Sequence, residues 1–421
     1  MGMMGTAVSG MLGDMNWLTT ISQNVANANT PGYKNIETEF ETLVDEAGGG
    51  GGGSNVGGVA TSVRGLNSLQ GSVVATSTPT DLAVQGDGYF LVSDASGALY
   101  LTRNGSFVPD ASGNLVNSAG YYLMGYNVQN GQSGGTANST AGLQKVNVFT
   151  SGETATPTTT GTLSMNLSST SPVVTGALPS SNAANATYTD ETSIVAYNDL
   201  GGAETINLYM TNTGVNPVTG ADTWQITAFN AADAAPGGGF PYSSGPLATE
   251  TLDFSPTTGA LTSGSPFSIP VPGGQTMSLD LGQTTQLASS FSVNAATING
   301  NAPGSVTGVS ISSDGTLNFQ YSNGASSPGY DIPLATVPSE DSLTSVSGDA
   351  FQANQNSGAM RVGTAGASGF GSIASSSLEG STVDLATELT QMIEAQSSYQ
   401  ANSKSFQTGA DLLDVLNNLK S

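Results

Sequence analysis

The chain has no cysteine and no histidine among its 421 residues. Without cysteine there are no disulfide staples and no thiolate metal sites, so the chain is indifferent to redox compartment. The two absences together remove Ser-His-Asp and Cys-His nucleophile systems and most zinc sites. Bases are scarce as well: seven Lys and Arg stand against 31 Asp and Glu, for a net charge of -24. The seven are Lys34, Arg64, Arg103, Lys145, Arg361, Lys404 and Lys420, scattered so that no basic patch forms. Phosphates are repelled by such a chain at long and short range, which argues against nucleic acid or an anionic membrane as partner. No apolar run reaches the length of a membrane span. The first base is Lys34, and the apolar residues before it are interrupted by Gly10, Gly13, Asp14 and Asn16, so a standard secretory signal is not expected.

What is present is periodic at the two ends and turn-rich between them. Stepping from Leu385 by alternate fours and threes gives Leu389, Met392, Gln396, Tyr399, Ser403, Phe406, Ala410 and Leu413, a mostly apolar stripe at the spacing of a coiled coil. Ser381 followed by Asp384 reads as a capping-box-like start, and Lys420 suits the dipole of the last turn. The same stepping from Met4 gives Val8, Met11, Met15, Leu18, Ser22 and Val25. Residues 1–28 read as an amphipathic helix weakened by Gly2, Gly5, Gly10 and Gly13, each costing about 1 kcal/mol relative to Ala. Such a helix is marginal alone, and Asn27, Asn29, Thr30, Pro31 and Gly32 stop it. One reading of the stripes is ordinary core packing. The other is that both ends become ordered by assembly, which two stripes at opposite ends of a long chain favour.

Six glycines, Gly48 to Gly53, have the composition of a flexible linker. From Leu82 to Val128 short apolar runs alternate with turns: 82–84, 89–92, 99–102, 107–108, 115–116 and 122–126. Gly86-Asp87-Gly88, Asp94 to Gly97, Asn104-Gly105 and Asp110 to Asn114 read as hairpin turns, since Asn, Asp and Gly tolerate left-handed backbone. Residues 151–300 are rich in Thr, Ser, Gly and Pro, with strand candidates at 193–197, 205–210, 224–229, 251–254 and 277–281. They read as a second β domain, sandwich or barrel. Val309 to Ile311 and Leu317 to Tyr321, joined across Asp314-Gly315, return to the first style. The expected fold is α+β, mainly β, with nested discontinuous domains. Residues 1–75 and 368–421 form a helical domain with linker, its terminal helices paired as a coiled coil. Residues 76–150 with 301–367 form a first antiparallel β domain, and 151–300 an outer one.

No constellation points to chemistry. Gly86-Asp87-Gly88 is half of a dinucleotide fingerprint without its third glycine or its helix. Asp110, Asn114 and Asp314 sit in glycine-containing turns but lack the acid ladder of a calcium loop. A glycosidase-like carboxylate pair is a matter of spatial separation, and no pair stands out. Asn104, Asn138, Asn166 and Asn185 fit the glycosylation acceptor pattern, as chance allows in a chain so rich in Asn, Ser and Thr. The expectation is therefore no catalytic residue, no cofactor and no metal.

One motif is specific. Asn24-Val25-Ala26-Asn27-Ala28-Asn29-Thr30-Pro31-Gly32-Tyr33-Lys34 resembles the N-terminal signature of bacterial flagellar rod and hook proteins. Asp81 to Phe90 and Thr102 to Phe107 resemble that family's first β domain. Gly363 to Gly366, Leu378-Glu379, Val383 to Ala386, Met392-Ile393 and Tyr399-Gln400 resemble its C-terminal signature. The resemblance covers roughly the first 130 and last 120 residues, and the additional middle domain favours a hook over a distal-rod subunit. It implies a homopolymer of many copies, a helical tube that couples rod to filament as a flexible universal joint transmitting torque. It also implies a distal rod protein and a hook-filament junction protein as neighbours, with a hook cap protein and the type III export apparatus acting during assembly. The place it implies is the extracellular flagellar hook, reached without a cleaved signal peptide, with no nucleic acid and no membrane span. The glycine run departs from the compact connection this family leads one to expect. A distal rod or other axial component is the alternative within the family, and a secreted β-rich glycan-active enzyme or adhesin the alternative outside it.

Overall fold

The computed structural model describes residues 2–45, 55–129, 132–133, 138–149, 152–218 and 220–419. The run Gly48 to Gly53 and Lys420 lie outside the described residues. The chain divides into two compact units: residues 1–150, 308–320 and 326–421 form the first, and 151–307 with 321–325 the second.

Unit 1 begins and ends in helix. α1 spans Gly2–Ala26 and α2 spans Leu385–Leu419, and the two pack against each other. The start of α2 differs from expectation. Asp384 rather than Ser381 caps it, its carboxylate accepting from the Ala386 N–H at 2.9 Å and from the Thr387 hydroxyl at 3.3 Å. Ser381 instead accepts from the Val383 N–H, one turn too early to serve the helix. On either side of the glycine run stand two long strands, β1 (Ile36–Asp45) and β2 (Asn55–Gly65), paired antiparallel with Ile36 opposite Gly65. Ile36, Thr38 and Phe40 alternate there with Glu37, Glu39 and Glu41, the period of a strand. The strands lie on α1: the Trp17 and Phe40 rings meet edge to face at 5.7 Å, Asn16 donates to Thr61, and the Val59 N–H donates to Ser9.

The β part of unit 1 follows the predicted runs closely, at Leu82–Gln85, Tyr89–Ser93, Leu99–Thr102, Phe107–Pro109, Leu115–Asn117 and Tyr122–Gln129. Tyr89–Ser93 is central, bonded to Leu99–Thr102, Tyr122–Gln129 and Pro333–Thr336, and wholly buried. Turns at 94–97 and 110–114 close hairpins as expected. The other two turns do not. Leu82–Gln85 pairs with Ser372–Ser375, so Gly86-Asp87-Gly88 carries the chain from one sheet to another, using positive φ at both glycines. Gly105 marks a close approach: a Cβ there would lie 1.8 Å from the Leu82 carbonyl oxygen.

Unit 2 is built of two five-stranded sheets around one apolar core. One is an antiparallel meander of Asp190–Tyr197, Ala203–Val215, Asp222–Asn230, Ala248–Phe254 and Leu261–Ser263. The other is mixed rather than antiparallel as expected. Thr160–Ser168 runs parallel to Thr276–Asp280 and Thr285–Leu287 and antiparallel to Ser292–Ile298. Parallel pairing needs a long crossover, and the whole meander lies between these partners in sequence. Trp224, Phe254, Phe267, Met165, Leu167 and Met277 share the buried core.

Candidate functional site: the terminal clasp and its outward stripes

α1 ends where its signature asparagines turn the chain back. Asn27 accepts from the Thr30 hydroxyl, and Gly32 takes a φ of 74° where a Cβ would lie 2.5 Å from the Asn104 nitrogen. The Gly32 N–H donates to the Glu379 carbonyl at 2.8 Å, and the Thr382 N–H donates to the Tyr33 carbonyl at 3.2 Å. Asn24, buried, donates to the Ile36 carbonyl at 2.8 Å and to Glu388 at 3.1 Å, and accepts from Tyr33 and from the Ile36 N–H. Asn35 donates to the same Glu388 oxygen at 3.2 Å. The motif thus fastens the end of α1 to the start of α2. Asn29 and Pro31 serve the turn itself, the first exposed and the second half-buried.

Beside this clasp lies a buried charge cluster that sequence reading missed. Glu379 has no solvent exposure and accepts from Lys34 at 2.6 Å, from Arg103 at 3.2 Å and from the Gly71 N–H at 2.8 Å. Lys34 also donates to the Leu69 carbonyl and Arg103 to the Gly86 carbonyl. Arg103 stands 4.9 Å over the Tyr89 ring, and the Tyr89 hydroxyl donates to Glu340. Burial pushes the Lys34 ammonium down from its ordinary range, and the Glu379 carboxylate opposes that. Burial likewise pushes the Tyr89 hydroxyl up. Two of the seven bases are spent on one carboxylate, joining the N-terminal segment, the β sheet and the C-terminal segment. Sequence distance hid this: Lys34 and Glu379 are 345 residues apart. The available signal was the scarcity of bases, which makes each one present a candidate for a specific partner.

The helix pair does form, and the expected stripes enter its seam only in part, at Met4 against Gly409. Elsewhere the seam is built mainly of small and polar residues. The Gly10 Cα sits against Asn402, Asn402 donates to Asp14 at 2.8 Å, and Met3 and Met4 meet Gly409. Buried Ala7, Asp14 and Ile21 fall seven apart on α1, each one residue before Val8, Met15 and Ser22. Glu388, Ala395, Asn402 and Gly409 fall seven apart on α2, each one residue before Leu389, Gln396, Ser403 and Ala410. The physical reason is close approach, since glycine and alanine let helix backbones come near and leave bulky side chains no room. The apolar stripes consequently turn aside. Val8 is 39% exposed, Met15 52%, Leu389 51% and Ile393 66%, and Leu385, Tyr399 and Leu413 are exposed as well. Met4, Met11, Leu18, Val25, Met392 and Phe406 are half-buried. Beyond Gly409, which meets the start of α1, the last turns of α2 carry exposed Leu412, Leu413, Val415 and Leu419.

Among the described residues no group of His, Cys, Asp and Glu is placed to hold a metal ion, and no helix is long and apolar enough to cross a membrane. The carboxylates at 94–98 and 110–114 accept hydrogen bonds from their own turns, which holds Asp94 and Asp110 below the usual carboxylate range.

Four family models match the chain in order. Residues 4–34 match the Flagella basal body rod protein model, and 83–164 the Flagellar hook protein FlgE/F/G D1 domain. Residues 166–301 match the Flagellar basal body protein FlaE D2 domain, and 374–419 the Flagellar basal body rod FlgEFG protein C-terminal. The flagellar hook protein FlgE of Brucella abortus biovar 1 (strain 9-941) is 45% identical over 425 residues, covering 100% of this chain and 99% of that protein. The same-named protein of Rhizobium meliloti (strain 1021) is 41% identical over 426 residues, with 100% and 99% covered. That of Escherichia coli (strain K12) is 31% identical over 424 residues, with 98% and 99% covered. A signature that clasps the two chain ends, apolar stripes left facing outward, and full-length likeness to these relatives lead to one conclusion: the chain belongs to the flagellar hook protein FlgE family.

Proposed function

We propose that this chain is the structural, non-enzymatic subunit of the flagellar hook, a helical homopolymer that couples rod to filament as a universal joint and transmits torque in motility. The observation that carries the reading is the outward apolar stripe on each terminal helix. A fully buried Leu, Met or Phe contributes roughly 1.5–3 kcal/mol, so burying Met15, Leu389, Ile393 and Leu413 between copies can drive association. Contacts between unlike surfaces that do not close into a ring generate a helical filament. The self-assembly residues are then Met4, Val8, Met11, Met15, Leu18 and Val25 on α1 with Leu385, Leu389, Met392, Tyr399, Phe406 and Leu413 on α2. Asn24 to Tyr33 set the clasp that presents them.

The finer parts of the proposal follow the family. The distal rod protein and the hook-filament junction protein cap the tube at its two ends, and a hook cap protein and the type III export apparatus serve assembly. The site is extracellular, reached without a cleaved signal peptide. In the tube, the helical domain of residues 1–75 with 368–421 lines the channel.

The test is Leu389→Asp with Ile393→Asp in the full-length chain. Both side chains are exposed, so circular dichroism and thermal melting are expected to match the parent while tubes disappear from electron micrographs. Parent chain that stays solitary under all assembly conditions sinks the reading. Tubes of the double variant at parental yield sink the role of the stripe.

A further inference from the structure

Unit 2 carries a feature that assembly through the terminal helices does not use. On the face of its meander opposite the apolar core, Glu191 stands across from Tyr209 and Ser193 across from Asn207. With Tyr188, Thr192 and the loop Gly237 to Gly239 these residues line an open cleft of about 650 Å³. That size falls within the ~300–1,000 Å³ of small-ligand sites.

The wall of the cleft is aromatic and rigid. Tyr188 leaves part of its ring in solvent while leaning on Tyr209 at 4.7 Å between centroids. Tyr209 packs on Phe240 at 4.9 Å, and Phe229 stacks on Tyr242 at 4.3 Å. Hydrogen bonds lock the cluster: the Tyr209 and Tyr242 hydroxyls lie 2.8 Å apart, and Asn207 donates to Tyr242 at 2.9 Å. Tyr188 is thus a platform held in place by a buried base, with little side-chain entropy left to lose. The rim is open. Gly237, Gly238 and Gly239 have φ of 101°, 85° and 80°, and a Cβ on any of them would meet nothing within 4 Å. Glycine there leaves bare backbone against free space, the condition for close approach of a ligand.

Charge selects the ligand. Every charged side chain between 151 and 307 is a carboxylate. Phosphate, sulfate and uronate ligands therefore meet repulsion with no cation to answer it. A cation cage needs several open ring faces, and here Tyr209, Phe229 and Tyr242 are buried and Phe240 is half-buried against them, leaving Tyr188 as the one exposed ring of the cluster. One exposed ring beside hydroxyl, amide and carboxylate groups is the chemistry of a pyranose, whose apolar face lies on the ring and whose hydroxyls bond to the fringe. We propose that unit 2 binds a neutral oligosaccharide in this cleft, with Tyr188 as platform and Glu191, Ser193 and Asn207 as hydroxyl partners. The proposal rests on unit 2 of the single chain and not on the assembly reading.

The experiment is saturation-transfer NMR on the full-length chain with neutral tetrasaccharides of glucose, mannose and N-acetylglucosamine, and a tetragalacturonate control. At least one neutral sugar is expected to bind and the uronate not. Tyr188→Ala is expected to weaken binding at least tenfold with only a small fall in melting temperature, and Tyr188→Phe less than threefold with unchanged melting, because it keeps the ring contacts. Absence of binding by all three neutral sugars overturns the proposal. So does equal binding of the uronate, undiminished binding by Tyr188→Ala, or displacement of the sugar by millimolar tetramethylammonium.

Discussion

Trp224 and Glu379 are both sealed from solvent, and they hold their regions by opposite physics. Trp224 sits in the core of unit 2 among Leu, Ile, Met and Phe, where stability scales with the apolar area removed from water. Glu379 sits in unit 1 between two cations and a backbone N–H, where stability depends on every partner being present. The seam of α1 and α2 follows the second pattern, with Asn402 on Asp14 and two amides on Glu388. The region that folds for itself has used its apolar side chains internally. The helix pair uses polar groups internally and leaves apolar ones exposed, which in the proposed assembly are the ones a neighbouring copy covers.

The largest expected effects attack the two centres directly. Trp224→Ala should cost about 3–5 kcal/mol through lost transfer energy and a residual cavity. Glu379→Gln should cost about 3–5 kcal/mol because Lys34 and Arg103 stay buried with their charge uncompensated. The comparison predicts different rescue. Adding Lys34→Met to Glu379→Gln should recover part of the urea-unfolding midpoint by removing a stranded cation, whereas no charge change should help Trp224→Ala. If Lys34→Met worsens the Glu379 variant, the cluster is held by packing and the contrast fails. Asn402→Ala comes next. Asp14, 3% exposed, loses its donor, at about 1–3 kcal/mol for a buried polar group left unpaired. Hydrogen exchange should accelerate in α1 and leave the strands of unit 2 as they were.

A smaller effect is read in pH. Burial raises the Glu340 carboxyl above its ordinary 4.5 although Tyr89 donates to it. The folded chain then holds this proton more tightly than the unfolded one, so stability falls as pH rises from 4.5 through the folded value. Glu340→Gln removes the slope while keeping an acceptor for Tyr89. The stability of the variant relative to the parent should therefore rise between pH 4.5 and 7, and a flat difference would show that Glu340 is hydrated in the folded chain.

Much of this was legible in the residues and some was not. Alternation and turn chemistry placed the strands at 82–85, 89–93 and 99–102 because β-branched and aromatic runs between Asn, Asp and Gly leave few alternatives. Positive-φ glycines cannot say which strand comes next as partner, so 86–88 read as a hairpin and is a passage between sheets. The pairing of Leu82–Gln85 with Ser372–Ser375 and of Lys34 with Glu379 is long-range and leaves no local trace. The helix stripes were real, yet an apolar stripe identifies a face that wants burial, not the partner that buries it. The intrachain seam was written one residue earlier, in Ala7, Gly10 and Asp14 and in Ala395, Asn402 and Gly409, where small size is the signal.

The same seam gives the smallest and most local prediction. Both Gly5 and Gly10 lie inside α1, where replacing glycine by alanine favours the helix by about 1 kcal/mol. They differ in what a methyl group meets: nothing within 4 Å at Gly5, and the Asn402 amide at 2.7 Å at Gly10. Gly5→Ala should slow hydrogen exchange across α1 by roughly fivefold, the rate equivalent of about 1 kcal/mol. Gly10→Ala should gain less or lose, because Asn402 must move and with it the hydrogen bond to Asp14. Equal slowing by both would mean that the helices do not close at Gly10. The polar seam would then not be what holds the ends of the chain together, and the apolar stripes would be free to pair within one subunit instead of between subunits.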